Sequence, residues 1–277
     1  MNYEAIRITP ITGALGSEIS GVDLRQPLGN TARAEILDAF ANALVICFRD
    51  QELTPEQHFA FSDVFGPMVD LPRIPKVPGY ELFHQVLREP TTPKNRVAGQ
   101  NWHSDSTFLP SPPAAIAMRA IEVPSSGGDT AFANLCLMYD ALSDKMKEIV
   151  SGLRAVHSDR RGLRGWTNGP ITAEDINKAN EEESHPVVCT HPVTGRKGIF
   201  VNRVYTTRFE GMTEEESRPL LEYLYSLADR VEFQCRIRWQ PNTVVVWDNR
   251  FTQHRAVVDY HERRHLQRTT IGGPRPN

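Results

Sequence analysis

The chain has 277 residues, 40% of them hydrophobic and 23% charged, an ordinary globular balance with ample material for a large core. Its 31 Lys and Arg against 34 Asp and Glu leave a formal charge of −3 spread along the chain, so nothing points to nucleic acid or an anionic membrane surface as partner. The 4 cysteines (Cys47, Cys136, Cys189 and Cys235) are scattered without a CxxC pair, which argues against a disulfide framework or a zinc knuckle.

Tyr3 to Pro10 alternates loosely as a strand, followed by the turn glycines Gly13, Gly16 and Gly21. Thr31 is placed to cap a helix over Ala32 to Ala43, with Ile36, Leu37, Phe40 and Leu44 at helical spacing. Leu44 to Phe48 reads as a buried strand. Thr54-Pro55-Glu56-Gln57 is a helix start: a capping threonine, proline in the first turn and glutamine three positions after the cap. Phe59, Phe61, Val64 and Phe65 give that helix its apolar face. Residues 69–101 are proline-rich and aperiodic, the first of two expected lid segments. Ala114 to Val123 and Thr130 to Asn134 read as strands around Gly127-Gly128, and Met138 to Leu153 as one helix. Residues 158–184, polar and glycine-bearing, form the second expected lid. Val187 to His191 and Gly198 to Asn202 make a hairpin, and Glu214 to Val231 a helix. Glu232 to Trp239, Thr243 to Trp247 and Gln267 to Gly272 supply the last strands. Many short strands with a few outer helices describe a mostly β chain, a single domain over 1–277 on a double-stranded β-helix (jelly-roll) core.

Two motifs carry the chemistry. Trp102-His103-Ser104-Asp105 puts a histidine and an aspartate two positions apart, and Trp247-Asp248-Asn249-Arg250-Phe251-Thr252-Gln253-His254 supplies a second histidine after a β-rich run. Two imidazoles and one carboxylate are the facial triad of non-haem iron(II) oxygenases, which leaves the opposite face of the metal for substrate and oxygen. In a strand, His103 and Asp105 point to the same side and can grip one ion. Arg264 and Arg268 follow His254, where a returning strand sets them beside the metal, and a guanidinium matches a carboxylate with two parallel hydrogen bonds. Alone, the histidine–aspartate pair is a weak signal, and Arg263-Arg264-His265 reads as a solvated basic patch. Together they point to 2-oxoglutarate. His58, His84, His157, His185, His191, His261 and His265 lack a comparable partner set; His58 sits on an amphipathic helix and His191 in a turn.

The ordered set resembles the taurine/2-oxoglutarate dioxygenase family of non-haem iron(II) enzymes, which also holds phenoxyalkanoate-degrading dioxygenases. The likeness starts at Ile8-Thr9-Pro10 and at Leu15-Gly16-Ser17-Glu18-Ile19-Ser20-Gly21-Val22-Asp23-Leu24. It runs on through the His103 motif, Gly127-Gly128-Asp129-Thr130, His191-Pro192-Val193-Thr194-Gly195-Arg196-Lys197 and Phe200-Val201-Asn202. The His254 motif and Arg268-Thr269-Thr270-Ile271 complete it. The resemblance implies Fe(2+) on His103, Asp105 and His254, with 2-oxoglutarate and O2 as cosubstrates and no separate acid–base residue. Arg264 and Thr130 would hold the distal carboxylate of 2-oxoglutarate, Arg268 the anionic group of a small sulfonate or carboxylate substrate, and Tyr205 an aromatic wall of its pocket. The implied reaction couples hydroxylation to oxidative decarboxylation of 2-oxoglutarate, with C–S or C–O cleavage where the hydroxylated carbon carries the heteroatom.

Taurine itself is disfavoured. Leu71 stands where the taurine enzymes carry a histidine shortly after Phe65-Gly66, and Gly99 where they carry an asparagine. Around Pro67, Tyr205 and Arg268 the chain is closer to the phenoxypropionate branch. Two other readings stay open: a zinc-dependent hydrolase on the same triad, for which no general base is evident, and a non-catalytic binding protein on the same fold. No apolar run approaches the ~20 residues that cross a bilayer, and no charged-then-apolar leader opens the chain. A cytoplasmic protein is expected, and a homo-oligomer stays open.

Overall fold

The computed structural model describes residues 3–71, 74–93, 99–161, 177 and 181–277. The first elements are β1 (Arg7–Pro10), β2 (Ser17–Ser20), α1 (Asn30–Ala43), β3 (Val45–Phe48), α2 (Pro55–Ser62), β4 (His84–Arg88), β5 (Ala115–Glu122) and β6 (Thr130–Asn134). Next come α3 (Leu135–Asp140), α4 (Asp144–Ser151), β7 (Arg154–Ser158), β8 (Glu182–Pro186), β9 (Val188–Thr190), β10 (Lys197–Ile199) and β11 (Thr206–Phe209). The last are α5 (Glu214–Ser226), β12 (Gln234–Ile237), β13 (Val244–Asp248), β14 (Thr252–Ala256) and β15 (Arg264–Ile271).

A seven-stranded sheet runs in the order β1-β2-β3-β13-β5-β15-β4, with β2 and β3 parallel and the other neighbours antiparallel. A three-stranded sheet, β12-β6-β14, faces it. The two-residue period of a strand explains how they meet. Val45, Cys47, Ile116, Met118, Val245, Trp247 and Leu266 point inward against Phe132, Cys235 and Ile237 of the smaller sheet. Their alternates, Ile46, Phe48, Ala115, Ala117, Val244, Val246 and Ile271, pack on Ile36 and Phe40 of α1 and Phe61 of α2. Both faces of β13 are covered, which is why Val244 to Trp247 reads as an unbroken apolar run. This is the jelly-roll core. A third sheet, β11-β7-β8, and the β9–β10 hairpin lie outside it. Trp247 is 1% exposed, and truncating it to alanine costs about 3–5 kcal/mol on the usual scale for large aromatics.

Several elements differ from the sequence reading. The cap of α1 is Gly29 in extended conformation, not Thr31. Helix α2 has the full capping box of Thr54 and Gln57, as its sequence requires. The single helix expected over Met138 to Leu153 is two, α3 and α4, because the side chains of Asn134 and Ser143 each cap a new start. Strands β2, β7 and β11 went unrecognised, and β4 lies inside the stretch read as an aperiodic loop. The lid expected over 158–184 lies for the most part outside the described residues, its described ends belonging to β7, a following 3-10 turn and β8. Among the described residues, no helix is long and apolar enough to cross a membrane.

Candidate metal centre

Strand β14 sets His254 opposite Phe132 of β6, with Trp247 packed on the imidazole at 5.0 Å between ring centroids. The segment after residue 98 runs along the outer side of β14. Ala256 N–H donates to Gly99 O (2.7 Å), and His103 and His254 exchange both backbone hydrogen bonds (3.1 and 2.7 Å). Directly opposed residues project from the same face, and the two rings stand 4.2 Å apart.

Asp105 does not join them by strand alternation, as the spacing suggested. Pairing stops at His103, and the chain turns over 105–108 with Ser106 at a left-handed φ of 52°. Asn249 clamps that turn. Its Oδ1 accepts the Asp105 N–H (2.7 Å), and its Nδ2 donates to Asp105 O and Pro113 O (3.0 Å each). The Ser104 hydroxyl adds a bond to Thr252 O (2.8 Å). Sequence reasoning gave Asn249 no role. The available signal was an asparagine in the tight connection between β13 and β14, where its amide readily bonds backbone.

The donor atoms of His103, Asp105 and His254 lie within 4.8 Å of one another and all three residues are buried. Asp105 Oδ1 is 3.4 Å from His103 Nε2 and 3.9 Å from His254 Nε2. His103 Nδ1 lies 2.8 Å from Asn101 O; a carbonyl only accepts, so Nδ1 carries a proton and Nε2 is the ring atom left to face a metal. Burial, reinforced by His103 and Arg268 against the pull of Asp105, lowers the His254 pKa to about 3, so this ring is neutral near pH 7. Burial pushes Asp105 up, but Arg268, His254 and His103 outweigh it and hold the carboxyl well below its usual range. A lone pair on each imidazole and an ionised carboxylate are what a divalent cation requires of its ligands. The backbone passes close to the His103 ring. Gly99 sits at φ +76°, and a Cβ there would lie 3.4 Å from His103 Cε1 and 3.9 Å from Nε2.

Strand β15 contributes both arginines. Leu266 packs in the core between the sheets, so its period-two neighbours Arg264 and Arg268 project into the same space. Arg268 pairs with Asp105 Oδ2 at 2.8 Å and also reaches Thr270 Oγ1 (3.4 Å). Arg264 donates to Gly128 O (2.9 Å) and to Thr130 Oγ1 (3.4 Å). Trp239 Nε1 donates to the same Thr130 oxygen (2.9 Å), which leaves the hydroxyl proton of Thr130 to be given elsewhere. Arg264 is buried and makes no ion pair with a carboxylate among the described residues. A guanidinium held that way is expensive to desolvate, and its geometry suits a carboxylate ligand.

Tyr205 places its ring 6.5 Å from that of His103 and 5.2 Å from that of Phe108. Leu71 is buried at the end of a segment in which Val69 N–H donates to Thr270 O and Asp70 bonds His84, the residue opposite Arg268. His191 accepts the Val193 and Thr194 N–H groups and faces Asp248, a turn role as expected. Arg263 pairs at the surface with Glu89 and Glu122, the solvated role expected of it.

A family model described as "Taurine catabolism dioxygenase TauD, TfdA family" matches residues 7–270. An alkylsulfatase of Acinetobacter baylyi is 32% identical over 98% of this chain and 86% of its own length. An alpha-ketoglutarate-dependent sulfonate dioxygenase of Saccharomyces cerevisiae is 30% identical over 99% of this chain and 69% of its own. The crystal structure of a taurine dioxygenase from Burkholderia xenovorans matches with a TM-score of 0.83 at 34% identity, covering 99% of this chain and 91% of that one.

Proposed function

The chain belongs to the taurine catabolism dioxygenase TauD, TfdA family, and from that membership we propose an iron(II)- and 2-oxoglutarate-dependent dioxygenase that hydroxylates a small organic anion. One arrangement carries the site assignment: three metal-competent donors lie within 4.8 Å of one another, and the strand whose Arg268 pairs with Asp105 carries, on the same inward row, the buried Arg264 guanidinium, which has no ion-pair partner among the described residues. His103, Asp105 and His254 hold Fe(2+), and Arg264 with the Thr130 hydroxyl holds the distal carboxylate of 2-oxoglutarate. The bound iron, with 2-oxoglutarate and O2, supplies the oxidising chemistry that yields succinate and carbon dioxide and delivers one oxygen atom to a substrate carbon.

The protein's share is orientation and exclusion of water. The Asn101 carbonyl sets the His103 tautomer, and Asn249 sets the Asp105 turn. Arg268 turns Asp105 Oδ2 toward itself and leaves Oδ1 on the side of both histidines. Its buried Nε has no hydrogen-bond partner, which gives the anionic group of the substrate a donor to meet. Tyr205, packed on Phe108, sets aromatic surface near the His103 ring. The anion is a sulfonate or carboxylate, and the alkylsulfatase relative adds the sulfate ester to that class. Where the hydroxylated carbon bears the heteroatom, its hydroxyl would lose a proton and the carbon would leave as a carbonyl, releasing sulfite from a sulfonate, sulfate from a sulfate ester or a phenol from an aryloxy-carboxylate. With Leu71 and Gly99 in place of polar partners, the pocket suits a more apolar body than taurine.

Anaerobic titration of the iron(II) protein with 2-oxoglutarate tests this. A metal-to-ligand absorption band should appear, vanish in His103→Ala, and weaken in affinity in Arg264→Met. Failure of the native protein to show the band refutes the assignment.

A further inference from the structure

A second buried guanidinium stands beside Arg264. Arg88 lies on β4 directly opposite Arg264 in the β4–β15 ladder, and opposed residues share a face. Val86, opposite Leu266, packs against the core between the sheets, so the same row of β4 carries Arg88 inward at the Arg264 end. Arg88 is 5% exposed. One of its N–H groups donates to Tyr260 O (3.0 Å), its guanidinium lies 4.3 Å from the centre of the Tyr260 ring, and its Nε is buried without a partner. Tyr260, 4% exposed, in turn contacts the Arg264 guanidinium, and Gly128 lets Tyr260 and Arg264 approach so closely that a Cβ there would lie 3.3 Å from each. Neither Arg88 nor Arg264 makes an ion pair among the described residues; the nearby Asp129 is already bound by Arg236 (2.6 Å).

Two buried guanidiniums that donate to carbonyl and hydroxyl oxygens, with one carboxylate near Arg264 that is itself paired with Arg236, are a poor stability device, because neither has a counterion in direct contact among the described residues to offset its desolvation. We propose that Arg88 is a specificity-determining positioning residue, which holds Tyr260 against Arg264 and adds the second positive charge that selects a 2-oxo acid with a distal carboxylate. This rests on the reading of Arg264 as the cosubstrate anchor. The charge acts on the distal end of the ligand, not on the end that meets the metal. Its loss therefore changes selectivity between ligands and does not weaken all of them alike.

The test compares 2-oxoglutarate with 2-oxovalerate, which keeps the metal-binding end and replaces the distal carboxylate by a methyl group. Anaerobic binding of each to the iron(II) protein is measured for the native chain, Arg88→Lys, Arg88→Gln and Arg88→Met, the last keeping the aliphatic stem. The preference for 2-oxoglutarate should fall about tenfold or more in the neutral variants, the scale of one charge-assisted contact, and be largely kept in Arg88→Lys. An unchanged preference in Arg88→Gln or Arg88→Met overturns the proposal, as does equal weakening of both ligands in all three variants, the mark of a merely structural role. A native protein with no preference for 2-oxoglutarate would instead overturn the reading of Arg264. Melting temperatures of the variants show which of the two neutral substitutions reports on a folded chain.

Discussion

Replacing Arg264 by methionine separates binding from stability in opposite directions. The side chain makes two hydrogen bonds, to Gly128 O at 2.9 Å and to Thr130 Oγ1 at 3.4 Å, and it stacks near Trp239 with 5.9 Å from guanidinium to ring centre. A charge-assisted bond to a carboxylate is worth about 1.5–3 kcal/mol, so 2-oxoglutarate should bind roughly 10- to 150-fold more weakly to the variant. The fold should lose far less. Methionine keeps most of the apolar stem against Trp239 and removes a charge that has no carboxylate partner among the described residues, while the Gly128 carbonyl loses one donor, a penalty of about 1–3 kcal/mol. Relief of desolvation offsets that loss, and the ligand-free stability should stay within about 1 kcal/mol of the native chain. Calorimetric or spectroscopic titration gives the first quantity and urea denaturation of the metal-free protein the second. A variant that binds 2-oxoglutarate normally, or that unfolds while Trp239→Phe does not, contradicts the reasoning.

Asp105→Ala should abolish iron binding and also destabilise the metal-free fold by about 3–5 kcal/mol, because Arg268 is left buried and uncompensated; an unchanged urea midpoint would contradict this. Asn249→Ala removes three bonds that hold the Asp105 turn, and should weaken Fe(2+) or Mn(2+) binding by about 10- to 100-fold while leaving far-ultraviolet dichroism native. Stability of the metal-free protein should fall with acid. His58 and His254 both have pKa values lowered by burial from 6.5 to about 3, so between those values the unfolded chain binds protons that the folded one refuses. Their contribution is present above pH 6.5 and is lost as pH falls toward 3, at up to about 1.4 kcal/mol per histidine and pH unit. Urea midpoints in the presence of chelator at pH 7.5 and 5.5 should differ accordingly, and identical midpoints would contradict the buried neutral state.

The candidate site was more legible than the strands that hold it, in that His103, Asp105 and His254 do come together. The candidate ligands and the arginines are chemically distinctive and fall in order along the chain, and β15 places Arg264 and Arg268 on one face as the even spacing requires. What failed was local geometry. His103 and Asp105 converge through a turn that Asn249 holds, an interaction across 144 positions that no local pattern records. Strand β4 is hidden because its residues, His84, Gln85, Val86, Leu87 and Arg88, show no polar–apolar alternation: the inward row mixes His84 and Arg88 with Val86. Its polar residues His84 and Arg88 face inward toward Arg268 and Arg264, and Leu87 is exposed. The break between α3 and α4 was written in Asn134 and Ser143, but the apolar stripe of Leu142, Met146, Ile149 and Val150 masked it. Helix α2 was read correctly because its start depends only on Thr54 to Gln57.

The central claim is coupled oxidation at the centre held by His103, Asp105 and His254. The most direct measurement is succinate released from 2-oxoglutarate by the iron(II)-loaded protein in air, across a panel of alkyl sulfates, sulfonates and aryloxy-carboxylates. At least one of these anions should stimulate succinate formation in step with its own oxidation, and His254→Ala should show neither. Succinate release that no anion in the panel stimulates, or that persists in His254→Ala, would contradict the account.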